Sequence, residues 1–289
     1  MDVYGDVHGI RFNVHMGKVE KMINISLDLE TWGTYPGCDL RSIGACVFDP
    51  VAGYVVGYDR PVGSDERPTF YQAVDNPSVP TRFALGLNGE EIDVSAVDQY
   101  EYKYPLTRDP DTIKWWADQS DAAQDAFADP ADLRYGLIQF GQWLRGLSGD
   151  IYDPEDHDRR FPDDRKIWSH GAATDSPWII AAYRAVGLPV PFHYRAPRDS
   201  RTCFDLAGID DHSAWMTARP GPLGVPHHAL DDAICLARSI VDAYKLIHPE
   251  QSKGFKPVER SDKKAVDWEY VCRGGERVLV RVAQAGASQ

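Results

Sequence analysis

The chain has 289 residues, of which 43% are hydrophobic and 26% charged, a composition typical of a globular protein. No apolar run approaches the roughly 18–20 residues that a membrane-spanning helix needs, so no membrane segment is expected. Acidic residues outnumber basic ones by 44 to 31, and the net charge of −13 argues against a protein that coats nucleic acid nonspecifically. An enzyme that reaches nucleic acid through cations held in an acidic cleft is compatible with this charge.

The five cysteines include no CxxC pair, which argues against a disulfide framework and against a zinc knuckle. The first residues, Met1–Asp6, lack a basic segment followed by an apolar one, so no secretory signal is expected. Both observations favour a protein of the reducing cytoplasm.

Strands dominate the first part of the chain. Residues 1–21 show no clear period and are interpreted as an N-terminal extension. Apolar and polar side chains then alternate from Ile23 to Glu30, which predicts a strand. Two further strands are predicted over 42–48 and 54–58, so the main domain is expected to open as a β-meander.

Helical spacing dominates the later part. Helices are predicted within 109–128 and over 131–147, 176–186 and 229–245, with a solvated loop over 150–166 and a short strand over 166–170. Strands followed by helices predict an α/β or α+β fold with a mixed sheet. The domain is expected to cover 22–248, followed by a tail over 249–289 with a candidate hairpin around Arg273–Glu276.

Asp28 and Glu30 are the first informative pair of acidic residues. They lie two positions apart on the first predicted strand, so both side chains project from one face, about 6.6 Å apart along it. Two adjacent carboxylates repel each other unless a cation lies between them, and oxygen ligands suit Mg²⁺ or Mn²⁺. The alternative is an edge strand with one solvated face.

Two later segments add further candidate ligands. Asp175 stands at a predicted helix start, where the alternative is an ordinary helix cap. The segment His227-His228-Ala229-Leu230-Asp231-Asp232 opens the last helix, where acidic residues also suit the helix dipole. Spacing alone cannot choose within this segment, because 227/231 and 228/232 are both i, i+4 pairs. A metal site confined to this helix is therefore a rival interpretation.

Taken together and in this order, these motifs resemble the DEDD superfamily of 3′–5′ exonucleases, whose fold is ribonuclease H-like. Its histidine subgroup, DEDDh, carries D-x-E on the first strand, an Asp at a later helix start and H-x4-D on the last helix. The resemblance assigns Asp28, Glu30 and Asp175 to the first two motifs, and His227 and Asp232 to the third. It implies an α/β fold in which a ribonuclease H-like mixed sheet is flanked by helices.

A finer resemblance is to small bacterial and phage 3′–5′ exonucleases or exoribonucleases. It rests on four segments, Asp28-Leu29-Glu30-Thr31-Trp32-Gly33-Thr34, Ser42-Ile43-Gly44-Ala45, Thr112-Ile113-Lys114-Trp115-Trp116 with Gln119, and Arg198-Asp199-Ser200-Arg201-Thr202. The long gap between Asp28 and Asp175 departs from the pattern and suggests insertions near 86–104 and 150–166. A phage-encoded enzyme would act in the host cytoplasm.

The resemblance also implies a mechanism. Two divalent cations, Mg²⁺ or Mn²⁺, are held by Asp28, Glu30, Asp175 and Asp232, and they stabilise the attacking and leaving oxygens. His227 acts as the general base, and 5′-mononucleotides are released from single-stranded DNA or RNA 3′ ends. Because the finer resemblance includes phage enzymes, DNA is slightly favoured over RNA as the expected substrate.

Four further residues are weaker substrate-binding candidates. Trp32 and Trp116 could stack on a base, although core packing is the favoured alternative for both. Arg198 and Arg201 could bind phosphate, although Arg201 could equally pair with Asp199.

Three other functions compete with a 3′–5′ exonuclease. One is an oligoribonuclease-like RNA-processing activity. Another is a nuclease fold that serves as a binding module in a replication or repair complex. A nucleotide-binding or phosphotransfer protein is disfavoured, because the chain contains no GxxxxGK[ST] motif.

Overall fold

The computed structural model describes residues 22–58, 67–76, 106–171 and 173–252, and the backbone of short strands elsewhere. The strands are β1 (Asp2–Val7), β2 (Ile10–His15), β3 (Ile23–Thr31), β4 (Leu40–Asp49), β5 (Tyr54–Val55), β6 (Thr69–Asp75), β7 (Ala84–Leu85), β8 (Glu91–Ile92), β9 (Ala131–Asp132), β10 (Arg165–Ser169), β11 (Pro197–Asp199), β12 (Trp268–Arg273) and β13 (Glu276–Arg281). The helices are α1 (Pro110–Ala117), α2 (Asp121–Asp125), α3 (Leu133–Gly146), α4 (Asp175–Ala185), α5 (Ser200–Leu206), α6 (His212–Thr217), α7 (Ala229–Ile247) and α8 (Pro249–Ser252).

The central sheet has the order β11-β10-β3-β4-β6-β9, with β5 paired to the end of β4. The pairs β3–β4 and β4–β6 are antiparallel, whereas β3–β10 and β10–β11 are parallel. Helices cover both faces of this mixed sheet. The predicted α/β fold class, with a mixed sheet flanked by helices, is confirmed.

The alternation within β3 divides the core into two layers. Leu27 and Leu29 are buried on one face, where they join a cluster that includes Phe140 of α3 and Tyr183 of α4. The opposite face is covered by α7, whose Leu230, Ile234 and Ile240 pack with Phe48 and Phe204 in a second cluster. Asp28 and Glu30 therefore lie on the face that α7 covers.

Several predicted elements differ in extent. The third strand of the meander ends at Val55, and the unpredicted β6 completes the pairing along β4. The helix predicted within 109–128 is divided into α1 and α2, because the chain turns at Asp118 and Ser120 caps a new helix. β11, α5 and α6 were not predicted from the sequence, while α3, α4, α7 and the hairpin of β12 and β13 agree with the predicted elements.

Residues 150–166 were predicted to be a solvated loop, and this prediction is wrong in part. The segment has no regular element before β10, but Tyr152 and Phe161 are 3% and 5% exposed and join the core. Its acidic residues Asp150 and Asp164 form ion pairs with the buried guanidinium of Arg145. The two aromatic anchors and this buried cation hold an otherwise charged segment against the domain.

Two other predictions fall largely or partly outside the described residues. Of the insertion near 86–104, only the strand over 91–92 is described, and the extension over 1–21 includes the antiparallel hairpin of β1 and β2. Among the helices that the structure describes, none is both long and apolar enough to cross a membrane.

Candidate active site

The strand β3 supplies the first two carboxylates of the site. Glu30 is buried and Asp28 is partly buried, and both face α7. Burial raises the pKa of Asp28 well above its usual range, and the neighbouring charges of Glu30, Asp175 and Asp232 raise it further. Burial and the charges of Asp232 and Asp175 likewise raise the pKa of Glu30. The four carboxylates therefore form one electrostatic cluster.

Asp175 reaches this cluster from the first turn of α4. Its Oδ1 accepts a hydrogen bond from the backbone N–H of Leu29 at 3.1 Å, and its Oδ2 accepts one from the hydroxyl of Thr174 at 3.1 Å. The helix cap itself is Thr174, so Asp175 is not an ordinary cap. Because Leu29 lies between Asp28 and Glu30, the first hydrogen bond holds Asp175 against that part of β3. Burial raises the pKa of Asp175 to about 6.

The start of α7 brings in His227 and Asp232. One ligand atom from each of Glu30, His227 and Asp232 lies within 4.8 Å of the other two. His227 has a φ of 64°, a strained conformation for a residue other than glycine, and its backbone N–H donates to Asp232 Oδ2 at 2.9 Å. Burial raises the pKa of Asp232 to about 6 and lowers the pKa of His227. Because the cluster includes a residue from β3, it is not confined to one helix.

His228 and Asp231, the neighbours of His227 and Asp232 in the sequence, have different contacts. His228 caps α7, with its Nδ1 accepting from the N–H of Asp231 at 3.3 Å, and its ring stacks on Tyr71. The carboxylate of Asp231 accepts from the backbone N–H groups of Leu223 and Val225 at 2.8 and 3.1 Å. It therefore holds the loop that precedes α7.

Gly44 allows α7 to lie directly on the sheet. It pairs with Asp28 across β3 and β4, so a side chain here would share the face of Asp28. A Cβ added at Gly44 would lie 2.1 Å from the carbonyl carbon of Ala229 and 2.2 Å from the nitrogen of Leu230. A glycine inside a strand often marks such a close backbone approach, a signal that the sequence analysis did not use.

The donor set fits a divalent cation. Carboxylates are suitable ligands for Mg²⁺ or Mn²⁺, and a cation would offset the burial and the mutual repulsion that raise the pKa values of Asp28 and Glu30. Within the described part of the chain, the buried hydroxyls of Ser42 and Ser176 have no hydrogen-bond partner. Ser42 pairs with Glu30 across the sheet, and Ser176 follows Asp175. These two hydroxyls are free to bond a water or an ion beside the carboxylates.

The raised pKa values predict how pH and cations act together on stability. Asp175 and Asp232, with pKa values of about 6, bind more protons in the folded than in the unfolded chain between pH 4 and 6. In EDTA, where no cation is bound, the free energy of unfolding should therefore fall as pH rises through this window. Mn²⁺ at one fixed concentration, about 100 times its Kd at pH 8, should raise Tm by about 5–10 °C at pH 8 and by less at pH 5, because protonated carboxylates bind the cation more weakly. Calorimetry in EDTA and in Mn²⁺ at both pH values checks this, and an equal Mn²⁺ effect at both would contradict it.

Three tryptophans, Trp32, Trp115 and Trp116, lie around the site. Trp116 is 2% exposed, and its Nε1–H donates to the carbonyl of Thr31 at 2.8 Å, which favours the packing interpretation. Trp32 is partly buried. Trp115, which the sequence analysis quoted only as part of a motif, is 44% exposed and meets the ring of His227 edge-on at a centroid distance of 4.8 Å.

The two arginine candidates lie in different surroundings. Nη1 of Arg198 donates to the backbone carbonyls of Arg195 and Pro197, both at 2.7 Å. Arg201 is exposed, its guanidinium lies beside Gly171, and its charge lowers the pKa of Asp175. Arg201 is thus the nearer of the two to the carboxylates.

Arg41 is a cation beside the site that the sequence analysis missed. Its side chain is buried among Trp32, Trp116 and Phe127, and its charge opposes the rise in the pKa of Glu30. Burial lowers the pKa of Arg41 to about 10, so the guanidinium stays charged at neutral pH. An arginine inside an otherwise apolar strand is the signal that could have identified it.

Comparisons with known proteins give the family. Among solved structures, the RNase domain of the yeast Pop2 protein is similar over 78% of this chain and 78% of that chain, with 10% sequence identity and a TM-score of 0.39. No curated protein matches the chain in sequence. Residues 23–243 match the 3′–5′ exoribonuclease Rv2179c-like domain, in agreement with the exonuclease superfamily that the motifs resemble. The chain therefore belongs to the family of Rv2179c-like 3′–5′ exoribonuclease domains and is a nuclease.

Proposed function

We propose that the protein is a metal-dependent 3′–5′ exoribonuclease of the histidine subgroup, which removes 5′-mononucleotides from single-stranded RNA 3′ ends. The observation that carries this proposal is the cluster of four buried or partly buried carboxylates with an imidazole beside it. The family match supports the same direction of hydrolysis.

Asp28, Glu30, Asp175 and Asp232 would hold two divalent cations, Mg²⁺ or Mn²⁺. Such a pair, when bound, stabilises both the attacking and the leaving oxygen of a phosphodiester. The hydrogen bond from the Leu29 N–H fixes one oxygen of Asp175, and the N–H of His227 fixes one oxygen of Asp232. These bonds orient the carboxylates before any cation binds, which reduces the reorganisation that binding requires.

His227 is proposed as the general base. Burial lowers its pKa, so the imidazole is neutral at pH 7 and can take a proton from the attacking water. The ring packs against Trp115 and Trp116, with centroid distances of 4.8 and 5.9 Å. These contacts and the fixed backbone at residue 227 aim the imidazole at the carboxylates.

RNA replaces DNA as the favoured substrate. DNA was favoured only on the resemblance to phage-like enzymes, whereas the matched family is described by exoribonuclease activity. The exposed guanidinium of Arg201 near Asp175 is a candidate contact for the phosphate chain, and the exposed ring of Trp115 is a candidate stacking surface for the 3′-terminal base. The arrangement of Arg198 makes it a weaker candidate than Arg201.

Trp115→Leu should lower kcat/KM for RNA by about 10- to 100-fold, because the imidazole loses a ring that orients it and small misplacements have large effects. The folded state should hardly change, since 44% of the side chain is exposed. Trp116→Leu removes a ring that also contacts His227, and it should in addition lower the free energy of unfolding by about 2–4 kcal/mol, because this ring is buried and hydrogen-bonded. Steady-state kinetics and urea unfolding separate the two effects, and unchanged kinetics in Trp115→Leu would contradict the role.

The direct test of the proposed function uses 5′-labelled single-stranded RNA and DNA of one sequence. Wild-type protein is incubated with each in Mg²⁺, in Mn²⁺ and in EDTA. A ladder that shortens from the 3′ end, is faster on RNA and is lost in EDTA supports the proposal. Faster shortening of DNA would identify the protein as a 3′–5′ exodeoxyribonuclease instead. Binding of RNA without cleavage in either metal would favour the binding module.

We also propose a cytoplasmic location and a catalytic domain over 22–248, with extensions over 1–21 and 249–289. Among the described cysteines, Cys38, Cys46, Cys203 and Cys235 are buried and form no disulfide, which suits a reducing compartment. Protease digestion followed by mass spectrometry tests the domain limits. A stable fragment close to 22–248 is the expected product.

A further inference from the structure

A β-bulge places Arg41 beside the carboxylates. In the pairing of β3 with β4, Glu30 lies opposite Ser42 and Thr31 lies opposite Leu40, so Arg41 has no partner. Regular alternation would direct Arg41 to the core face of Ile43. Leu40 takes that place instead, fully buried in the same cluster as Ile43. The extra residue therefore reverses the alternation and turns Arg41 towards the face of Glu30.

Three aromatic rings hold the guanidinium of Arg41 in place. Its central carbon lies 4.2 Å from the ring centroid of Trp32, 4.3 Å from that of Trp116 and 3.7 Å from that of Phe127. Aromatic faces attract a cation strongly when water is excluded, and this side chain is only 8% exposed. Trp116 is itself fixed by its hydrogen bond to the carbonyl of Thr31, next to Glu30.

These three rings form an aromatic cage, which keeps Arg41 near Glu30 without an ion pair between the two side chains. Within the described residues, Nη1 of Arg41 is buried and has no hydrogen-bond partner, and no carboxylate oxygen lies within 4.0 Å of the guanidinium. The positive charge nevertheless acts on Glu30. A direct ion pair would occupy the oxygen atoms that a divalent cation needs. The caged arrangement supplies the charge and leaves those oxygens available.

We propose that Arg41 is a positioning residue that sets the charge of the metal site through Glu30. This inference rests on the proposed function, because it takes the four carboxylates to be cation ligands. Four carboxylates and two divalent cations sum to zero charge, and Arg41 adds one positive charge to that sum. That charge is the complement of one phosphodiester group. Arg41 therefore weakens the binding of cations and strengthens the binding of the RNA chain.

Charge-neutral variants of Arg41 test this proposal. Arg41→Met should tighten Mn²⁺ binding by about tenfold, because a fixed positive charge near the ligands is removed. The same variant should raise KM for RNA more than it lowers kcat. Arg41→Lys keeps the charge and should bind Mn²⁺ like wild type. Lys114→Met removes an exposed charge on α1, with 70% of that side chain exposed, and should leave Mn²⁺ affinity unchanged.

Titration calorimetry with Mn²⁺ alone gives the affinities independently of activity, and Arg41→Gln replaces Arg41→Met if the latter does not fold. A merely structural role would loosen Mn²⁺ binding in every Arg41 variant. Unchanged or weaker Mn²⁺ binding in the neutral variants, with a wild type that binds Mn²⁺ and shortens RNA, overturns this inference alone. A wild type that neither binds Mn²⁺ nor shortens RNA overturns the proposed function and this inference with it.

Discussion

Asp232→Asn should lower kcat/KM for RNA by about a thousandfold, because it removes the charge of a proposed cation ligand and with it several kcal/mol of transition-state stabilisation. Asp232 lies within reach of both Glu30 and His227. The amide keeps the size of the side chain and one acceptor for the N–H of His227, so the fold should persist. Cleavage of 5′-labelled RNA in Mn²⁺, followed at single turnover, measures the loss.

Asp231→Asn is the matched control for this experiment. It makes the same change at the preceding residue of α7, but the Asp231 carboxylate binds the N–H groups of Leu223 and Val225 and not the cluster. We expect activity within about tenfold of wild type and a free energy of unfolding lower by about 1–3 kcal/mol. A larger loss of activity in Asp231→Asn than in Asp232→Asn would show that Asp231 is the ligand.

Gly44→Ala should impair both stability and activity. The added methyl group would lie within 2.1–2.3 Å of backbone atoms of Ala229 and Leu230, and a backbone cannot move aside as a flexible side chain can. We expect a free energy of unfolding lower by about 3 kcal/mol, in the range of overpacked cores. Because α7 also positions His227 and Asp232, its displacement by about 1 Å should lower kcat by about a hundredfold.

Gly146→Ala is the control for this substitution. Gly146 ends α3, and a Cβ there would meet no atom within 4 Å. Alanine favours the helix by up to about 1 kcal/mol, so this variant should be as stable as wild type or slightly more so, with normal activity. Urea unfolding and RNA cleavage on both variants make the comparison. Wild-type stability and activity in Gly44→Ala would contradict the close approach of α7 to β4.

Periodicity was sufficient to predict the elements that carry the site. The alternation in β3 predicted two opposite faces, and the burial of Leu27 and Leu29 confirms them. The apolar spacing of α7 predicted its buried stripe. These patterns are local, so one stretch of sequence contains all the information that they need.

Contacts between distant segments could not be predicted in the same way. Spacing did not distinguish Asp231 from Asp232, because the difference is which loop or strand each carboxylate meets. Periodicity also could not predict the caged position of Arg41, since a bulge reverses the alternation that the prediction assumes. The burial of Tyr152 and Phe161 within a charged segment depends equally on partners elsewhere in the chain.

The carboxylates of β3, α4 and α7 are proposed to hold the cations that assist the hydrolysis of RNA. Crystals soaked in Mn²⁺ and measured at the manganese absorption edge test this proposal most directly, because anomalous difference density locates the ions without reference to activity. The proposal predicts two peaks among Asp28, Glu30, Asp175 and Asp232, about 3.5–4 Å apart. Strong peaks elsewhere, with none at these four side chains, would contradict it.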